Sequence, residues 1–275
     1  MEKIKKALER AREKRSSEVI DSSDQYPVHM RINPMEKVDL TKISYTKTKK
    51  IEISEEVLRK KRVFSGNENN KISSQYKVLR THVLQCLKAN NWNSIAITSP
   101  NEGCGKTLTA INLAISMARE VNHSVLLVDM DLRRPSVQDY FVDERLPGIS
   151  EYLQNDKDLN EILFNPGLER IVVLPGNKSI ENSSEMLSSP KMVNLVTELK
   201  KRYPNRIVIF DLPPLLSCDD VIAFSPYIDA LMLVVSEGET LKKDLARSYE
   251  LLSARNIIGT VLNKSNEAYS NTSYY

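Results

Sequence analysis

Cysteine is scarce in this chain, three in 275 residues, and Cys86, Cys104 and Cys218 stand far apart with no C-x-x-C spacing. So small and odd a set excludes a disulfide frame, and with His29, His82 and His123 equally scattered it offers no zinc-ligand spacing either. Long apolar runs are missing too. Nothing approaches the roughly 18 to 20 consecutive apolar residues of a membrane span, and the opening MEKIKKALERAREKR lacks the apolar centre of a signal peptide. A cytosolic protein is the expectation. A large charge of one sign is absent as well: the formal net charge is +3, too small to imply a nucleic-acid partner. No internal repeat or low-complexity tract is visible.

What is present is an ordinary globular composition, 41% hydrophobic and 27% charged, enough for one large domain and an appendage. The charge is uneven. Residues 1–65 hold 17 Lys and Arg against 11 Asp and Glu, so the basic excess belongs to the front. Ile4, Ala7, Leu8 and Ala11 recur at helical spacing among lysines and arginines, which predicts a short amphipathic helix over Met1 to Arg15. From Ser16 to about Asn70 the pattern is polar and broken by Pro27 and Pro34, the signature of a flexible arm. Residues 1–70 are thus read as helix and arm, 71–264 as the main domain, and 265–275 as a tail.

Within the main domain, Ile72, Leu79, Val83 and Leu87 mark an entry helix. Short β-rich runs then alternate with helical ones: Ser94 to Thr98, Val125 to Asp129, Ile171 to Leu174, Ile207 to Asp211, Ala230 to Val235 and Gly259 to Asn263. Near-continuous apolar strands between helices predict an α/β fold, a doubly wound and mostly parallel sheet. Ser189 before Pro190 reads as the N-cap and first position of a helix ending near Arg202.

Four segments carry chemistry. Ile95 to Thr107, reading IAITSPNEGCGKT, is a strand, a glycine-bearing turn and the start of an apolar helix, the context of a P-loop. Glu102, Gly103, Cys104, Gly105, Lys106 and Thr107 would bind ATP. The glycines let backbone N–H groups close round phosphate, Lys106 reaches the β- and γ-phosphates, and Thr107 offers a hydroxyl to Mg²⁺. Pro100 stands where the first glycine of the usual spacing would be. Second, VLLVDMDLRRP delivers Asp129 and Asp131 to the carboxyl edge of the sheet, where ligands bind. Two apart in an extended segment, they point the same way, one for Mg²⁺ and the other for the proton of an acceptor hydroxyl. Third, IVIFDLPP ends a buried strand in Asp211, a Walker B position. Asp219 and Asp220 beyond it read mainly as N-caps. Fourth, Tyr269, Tyr274 and Tyr275 crowd a tail that is otherwise small and polar. Phenols with nothing to pack against suit a phosphoryl acceptor, or else a sticky terminus without function.

These elements, in this order, resemble the bacterial tyrosine kinases of capsule and exopolysaccharide export. The three nucleotide motifs correspond to Ser99 to Thr107, Leu126 to Pro135 and Val208 to Pro214, and Leu174-Pro-Gly with Glu185-Met-Leu-Ser-Ser-Pro is similar to a further family segment. The basic front and long arm resemble the separate, membrane-span-free autokinases of exosortase-associated loci. The resemblance implies a P-loop NTPase fold of the deviant, MinD-like kind. It further implies MgATP-dependent transfer to the C-terminal tyrosines, between neighbouring subunits of a ring. Lys106, Asp129 and Asp131 would be catalytic, Thr107, Asp129 and Asp211 would hold the metal, and Asn263 would contact the base. Implied partners are a membrane polysaccharide co-polymerase as activator, which would hold the protein at the inner face of the membrane, and a tyrosine phosphatase. One departure weakens the expected ring: the family's Glu and two Arg fall here on Ser74, Lys77 and Arg80, and Lys cannot replace Arg in a bidentate pair.

Two other readings stay open. A positioning ATPase of the MinD/ParA type shares the sheet, but the second lysine of its loop falls at Asn101. A nucleotide-sensing adaptor without kinase activity would have no need of Lys106, Asp129, Asp131 and Asp211 together.

Overall fold

The computed structural model describes residues 48–64, 71–203 and 205–265. The helix read over residues 1–15, the arm up to residue 47 and the tail tyrosines lie outside the described residues. The strands are β1 (Lys49–Lys50), β2 (Ser94–Thr98), β3 (Ser124–Asp129), β4 (Phe164–Asn165), β5 (Ile171–Leu174), β6 (Arg206–Asp211), β7 (Ala230–Ser236) and β8 (Ile257–Asn263). They form one sheet in the order β1-β4-β5-β3-β6-β2-β7-β8. Neighbours pair in parallel except β4 and β5. The doubly wound, mostly parallel sheet expected from the alternating runs is what forms.

Every residue of β2, β3, β6 and β7 is buried, as parallel strands covered on both faces require. Their side chains divide by parity. On β3, Val125 and Leu127 enter one core and Leu126 and Val128 the other, the two-residue period of an extended chain. The first core is closed by α2 (Lys71–Ala89) and α3 (Lys106–Ala118) through Val83, Leu87, Ile111 and Ile115. The second is closed by α4 (Ile149–Asn155), α5 (Ser183–Leu187), α6 (Pro190–Lys201) and α7 (Asp220–Phe224) through Ile149, Leu187, Leu195 and Phe224. Each such aliphatic side chain contributes about 1.5 to 3 kcal/mol on burial. The Ser189 hydroxyl accepts from Met192 N–H with Pro190 at the first helical position, so α6 starts where the sequence places it. No helix among the described residues is long and apolar enough to cross a membrane.

The arm drawn to residue 70 extends too far. β1 pairs with β4 and Ile51 N–H donates to Asn165 O, while α1 (Glu55–Lys60), capped by Ser54, sets Leu58 into the first core at 2% exposure, followed by fully buried Val63. Asn112 on α3 fastens the segment further, accepting from Phe64 N–H and donating to Arg62 O. Two apolar side chains in a polar stretch make no period, which is why the pattern reads as arm.

At the opposite edge of the sheet from the carboxyl ends, Asp229 ties the start of β2 in place. It accepts from Asn93 N–H, Ser94 N–H, the Ser94 hydroxyl and Lys200 Nζ at 2.6 to 3.1 Å. Burial works to raise its pKa, but Lys200, Ser94 and Asn93 outweigh it and hold the carboxyl below its usual value. A depressed carboxylate stabilises the fold above its unfolded pKa of about 3.9, and that contribution fades as pH falls through the lower folded value. Asp229→Ala is therefore expected to cost about 2 to 4 kcal/mol at pH 7, read from urea midpoints, and to flatten the acid limb of the stability curve.

Candidate active site

β2 ends in Thr98, whose hydroxyl donates to Pro213 O beyond β6, so the loop Ser99 to Gly105 leaves the sheet from its centre. The turn into α3 needs backbone that L side chains resist: Gly103 has φ 77° and Gly105 φ 87°. A Cβ at Gly103 would meet nothing within 4 Å, whereas one at Gly105 would lie 2.2 Å from the Asn263 amide nitrogen. Gly103 thus faces open space above the loop, the cradle a phosphate would fill. Gly105→Ala is expected to weaken ADP binding at least about tenfold, since the left-handed backbone alone costs about 1 to 2 kcal/mol and the side chain displaces Asn263. Calorimetric titration of the folded variant with ADP and magnesium checks this.

Parallel pairing brings the candidate carboxylates together. β3 and β6 are in register, Asp129 opposite Asp211, and β6 pairs in turn with β2 so that Ile97 faces Asp211. Lys106, first residue of α3, places Nζ 2.8 Å from Asp131 Oδ2 and 3.9 Å from Asp211 Oδ2. Thr107 Oγ1 donates to Asp211 Oδ2 at 2.7 Å. Burial works to lower the Lys106 pKa, but Asp211 and Asp131 more than offset it and hold the ammonium charged above lysine's usual value. For Asp211, burial is the leading cause and pushes the carboxyl up, against Lys106 and the Thr107 hydroxyl, which pull it down.

Asp129 has a distinct task in this state. Its side chain is fully buried; Oδ1 accepts from Asp131 N–H, and Oδ2 from Ser136 N–H and Val137 N–H at 2.8 and 2.9 Å. The carboxylate shapes the loop that carries Asp131 and Arg134. Burial and then Asp211 push its pKa up, while Val137 N–H and Lys106 pull it down.

Asp211 Oδ1 is buried with no hydrogen-bond partner. A carboxylate oxygen deprived of both water and donor is a costly arrangement that a cation would relieve. Among the described residues no group of three or more His, Cys, Asp or Glu could hold a metal alone. Mg²⁺ takes one or two protein oxygens and completes its octahedron with phosphate and water. Thr107 and Asp211 fit that ion.

The remaining candidates join the same edge. Glu102 Oε2 accepts from Arg134 Nη1 at 2.7 Å. Cys104 is buried, and its carbonyl accepts from Asn263 Nδ2 at 2.8 Å, so the end of β8 is fastened to the phosphate loop. Tyr269, Tyr274 and Tyr275 lie outside the described residues.

Some contacts escaped the sequence. Asn101 Nδ2 donates to Asp244 Oδ2 at 2.9 Å, where α8 (Lys242–Leu251) begins. Asp220, read as a cap, is fully buried and accepts from Arg133 Nε and Nη2 at 3.1 to 3.3 Å; Asp219 occupies the N-cap position without a side-chain capping bond. Two adjacent aspartates and two adjacent arginines were the available signal, but their pairing spans 87 residues. Arg80, matched to the family's ring contact, is turned inward: it donates to Ser116 O at 3.1 Å and pairs with Glu120 at 3.0 Å. A cavity of about 570 Å³ lies at the amino edge of the sheet, lined by Ala118, Arg170 and Ile171 among others and by none of these candidate residues, which gather at the carboxyl edge.

The same stretch of chain is matched by known proteins. A family model described as an AAA domain matches residues 92–240. The tyrosine-protein kinase YwqD of Bacillus subtilis (strain 168) is 32% identical over 206 residues, 74% of this chain and 86% of that protein. Among solved structures, the chimerical protein CapA2B2 aligns with a TM-score of 0.68 at 27% identity, over 74% of this chain and 92% of that one. The kinase domain of Escherichia coli tyrosine kinase ETK aligns at 0.63 and 28% identity, over 73% of this chain and 80% of that one.

Proposed function

Because this chain belongs to the family of bacterial tyrosine-protein kinases, we propose that it transfers the γ-phosphate of MgATP to tyrosine hydroxyls, first among them Tyr269, Tyr274 and Tyr275 of its own tail. The observation that supports this most is the meeting of Lys106 and Thr107 with Asp131 and Asp211 within 4 Å at one sheet edge. The loop from Ser99 to Gly105 and the start of α3 bind the phosphates. Lys106 leaves Asp131 for phosphate oxygen and neutralises charge on the transferring group. Thr107 and Asp211 hold Mg²⁺, which when bound supplies further charge neutralisation.

Asp131, freed of Lys106, accepts the phenol proton as the tyrosine oxygen bonds to phosphorus and the bridging bond to ADP breaks. Asp129 keeps the loop of Asp131 in shape and, opposite Asp211 on the neighbouring strand, is the second candidate for the metal or the proton. Asn263, already against the phosphate loop, borders the nucleotide base. Trans-phosphorylation between subunits, control of exopolysaccharide or capsule export, a membrane co-polymerase as activator, an opposing phosphatase and a cytoplasmic place at the membrane's inner face complete the reading.

Incubation of the purified full chain with MgATP, followed by phosphosite mapping, tests it. Phosphotyrosine concentrated in the tail is expected; ADP release without phosphotyrosine would mean a positioning ATPase, and neither product would mean an adaptor.

A further inference from the structure

The phosphate loop is short of positive charge. Position 101, where ATPases of the MinD/ParA type carry a second lysine, is Asn101, and its amide is spent on Asp244. Arg133 is fixed by the fully buried carboxylate of Asp220, a pair whose rupture would strand a charge away from water. Lys106 therefore needs help in neutralising a triphosphate. Arg134 is placed to give it. Its backbone N–H donates to Asp131 Oδ1 at 3.0 Å, and the other oxygen of that carboxylate accepts from Lys106 Nζ at 2.8 Å. Its guanidinium reaches across to Glu102 of the loop itself, the residue before Gly103.

We propose that Arg134 is a further catalytic residue, which on nucleotide binding exchanges Glu102 for oxygens of the transferring phosphoryl group; this rests on the kinase reading above. The exchange is easy. The side chains of Arg134 and Glu102 are 76% and 58% exposed, and ion pairs in water contribute little. Phosphate offers the planar guanidinium two parallel acceptors and a greater negative charge. Glu102 holds the arginine beside the loop in the free protein, and the pair masks the glutamate's charge. As charge spreads over the equatorial oxygens during transfer, the fork gains more than it does in the ground state, so the effect falls on turnover rather than on binding.

The test compares wild type, Arg134→Ala and Arg134→Lys as full chains, measuring phosphotyrosine formation against MgATP concentration. Arg134→Ala is expected to lower kcat about 100-fold with KM for MgATP changed less than about threefold, and guanidinium chloride at about 20 mM should restore part of the rate. Arg134→Lys should recover only a minor share, since an ammonium lacks the fork. Unchanged kcat in Arg134→Ala, a rise confined to KM, or a loss that guanidinium leaves untouched would each overturn the assignment. If wild type itself forms no phosphotyrosine, the kinase reading fails instead; if wild type and Arg134→Ala are equally active, only the role of Arg134 falls.

Discussion

Lys106→Met is expected to reduce phosphotyrosine formation at least about 1,000-fold while the chain stays folded. The lysine is the cation nearest both Asp131 and Asp211, and it is the group whose release to phosphate would prepare the site for transfer. A methionine of similar length keeps the packing and removes the charge. Folding survives because the carboxylates left behind can adjust. Burial already pushes the Asp211 pKa up, and with the ammonium gone the group retains its proton to higher pH rather than standing charged and alone. A carboxyl raised in the folded state stabilises the fold at low pH and loses that contribution as pH rises through the raised value. The variant should accordingly have a lower melting temperature than wild type at pH 8 and a smaller deficit at pH 6. Immunoblotting for phosphotyrosine, with circular dichroism at both pH values, checks each half. Undiminished phosphotyrosine would remove Lys106 from the mechanism.

Replacement of Tyr269, Tyr274 and Tyr275 by Phe should abolish most of the autophosphorylation while phosphorylation of an added tyrosine-containing peptide persists. The root of the tail is fixed: Asn263 is hydrogen-bonded to Cys104 of the phosphate loop. From there an extended chain reaches about 20 Å to Tyr269 and about 40 Å to Tyr275, at roughly 3.3 to 3.6 Å per residue. All three phenols therefore start within range of a site at the same sheet edge, their own or a neighbour's. Mixing the Lys106→Met chain, which keeps its tyrosines, with the active chain lacking them separates the two cases. Label on the Lys106→Met chain means transfer between subunits. Mass spectrometry finding the label chiefly on Tyr140, Tyr203 or another tyrosine of the folded domain would end the assignment of the tail as acceptor.

Much of the candidate site was readable because its parts are local. A strand, a glycine turn and a helix start fit inside Ile95 to Thr107, and a strand ending in aspartate announces Asp129 and Asp211 without knowledge of the neighbours. Parallel order then follows from the alternation of strand and helix, and the order brings those strand tips together. Pairings across the fold were not readable. Glu102 and Arg134, Asn101 and Asp244, and Arg133 and Asp220 are 32 to 143 residues apart, and nothing in either member's surroundings names the other. Asp220 shows the physical reason most clearly. An aspartate at the start of a short helix has the local look of a cap, and only burial by the rest of the chain turns it into the counter-ion of Arg133. Short elements escaped for a related reason: β1 and β4 have two residues each, too few for any period.

The docking of β1 and α1 changes what counts as the smallest self-sufficient kinase unit. A chain begun at residue 71, where the entry helix starts, would leave the sockets of Leu58 and Val63 open to water and strip β4 of its outer neighbour, baring a strip of backbone donors and acceptors for another molecule to pair with. The segment before the entry helix therefore works as a hem along that margin of the sheet, and any shortened form that is to stay monodisperse has to keep it.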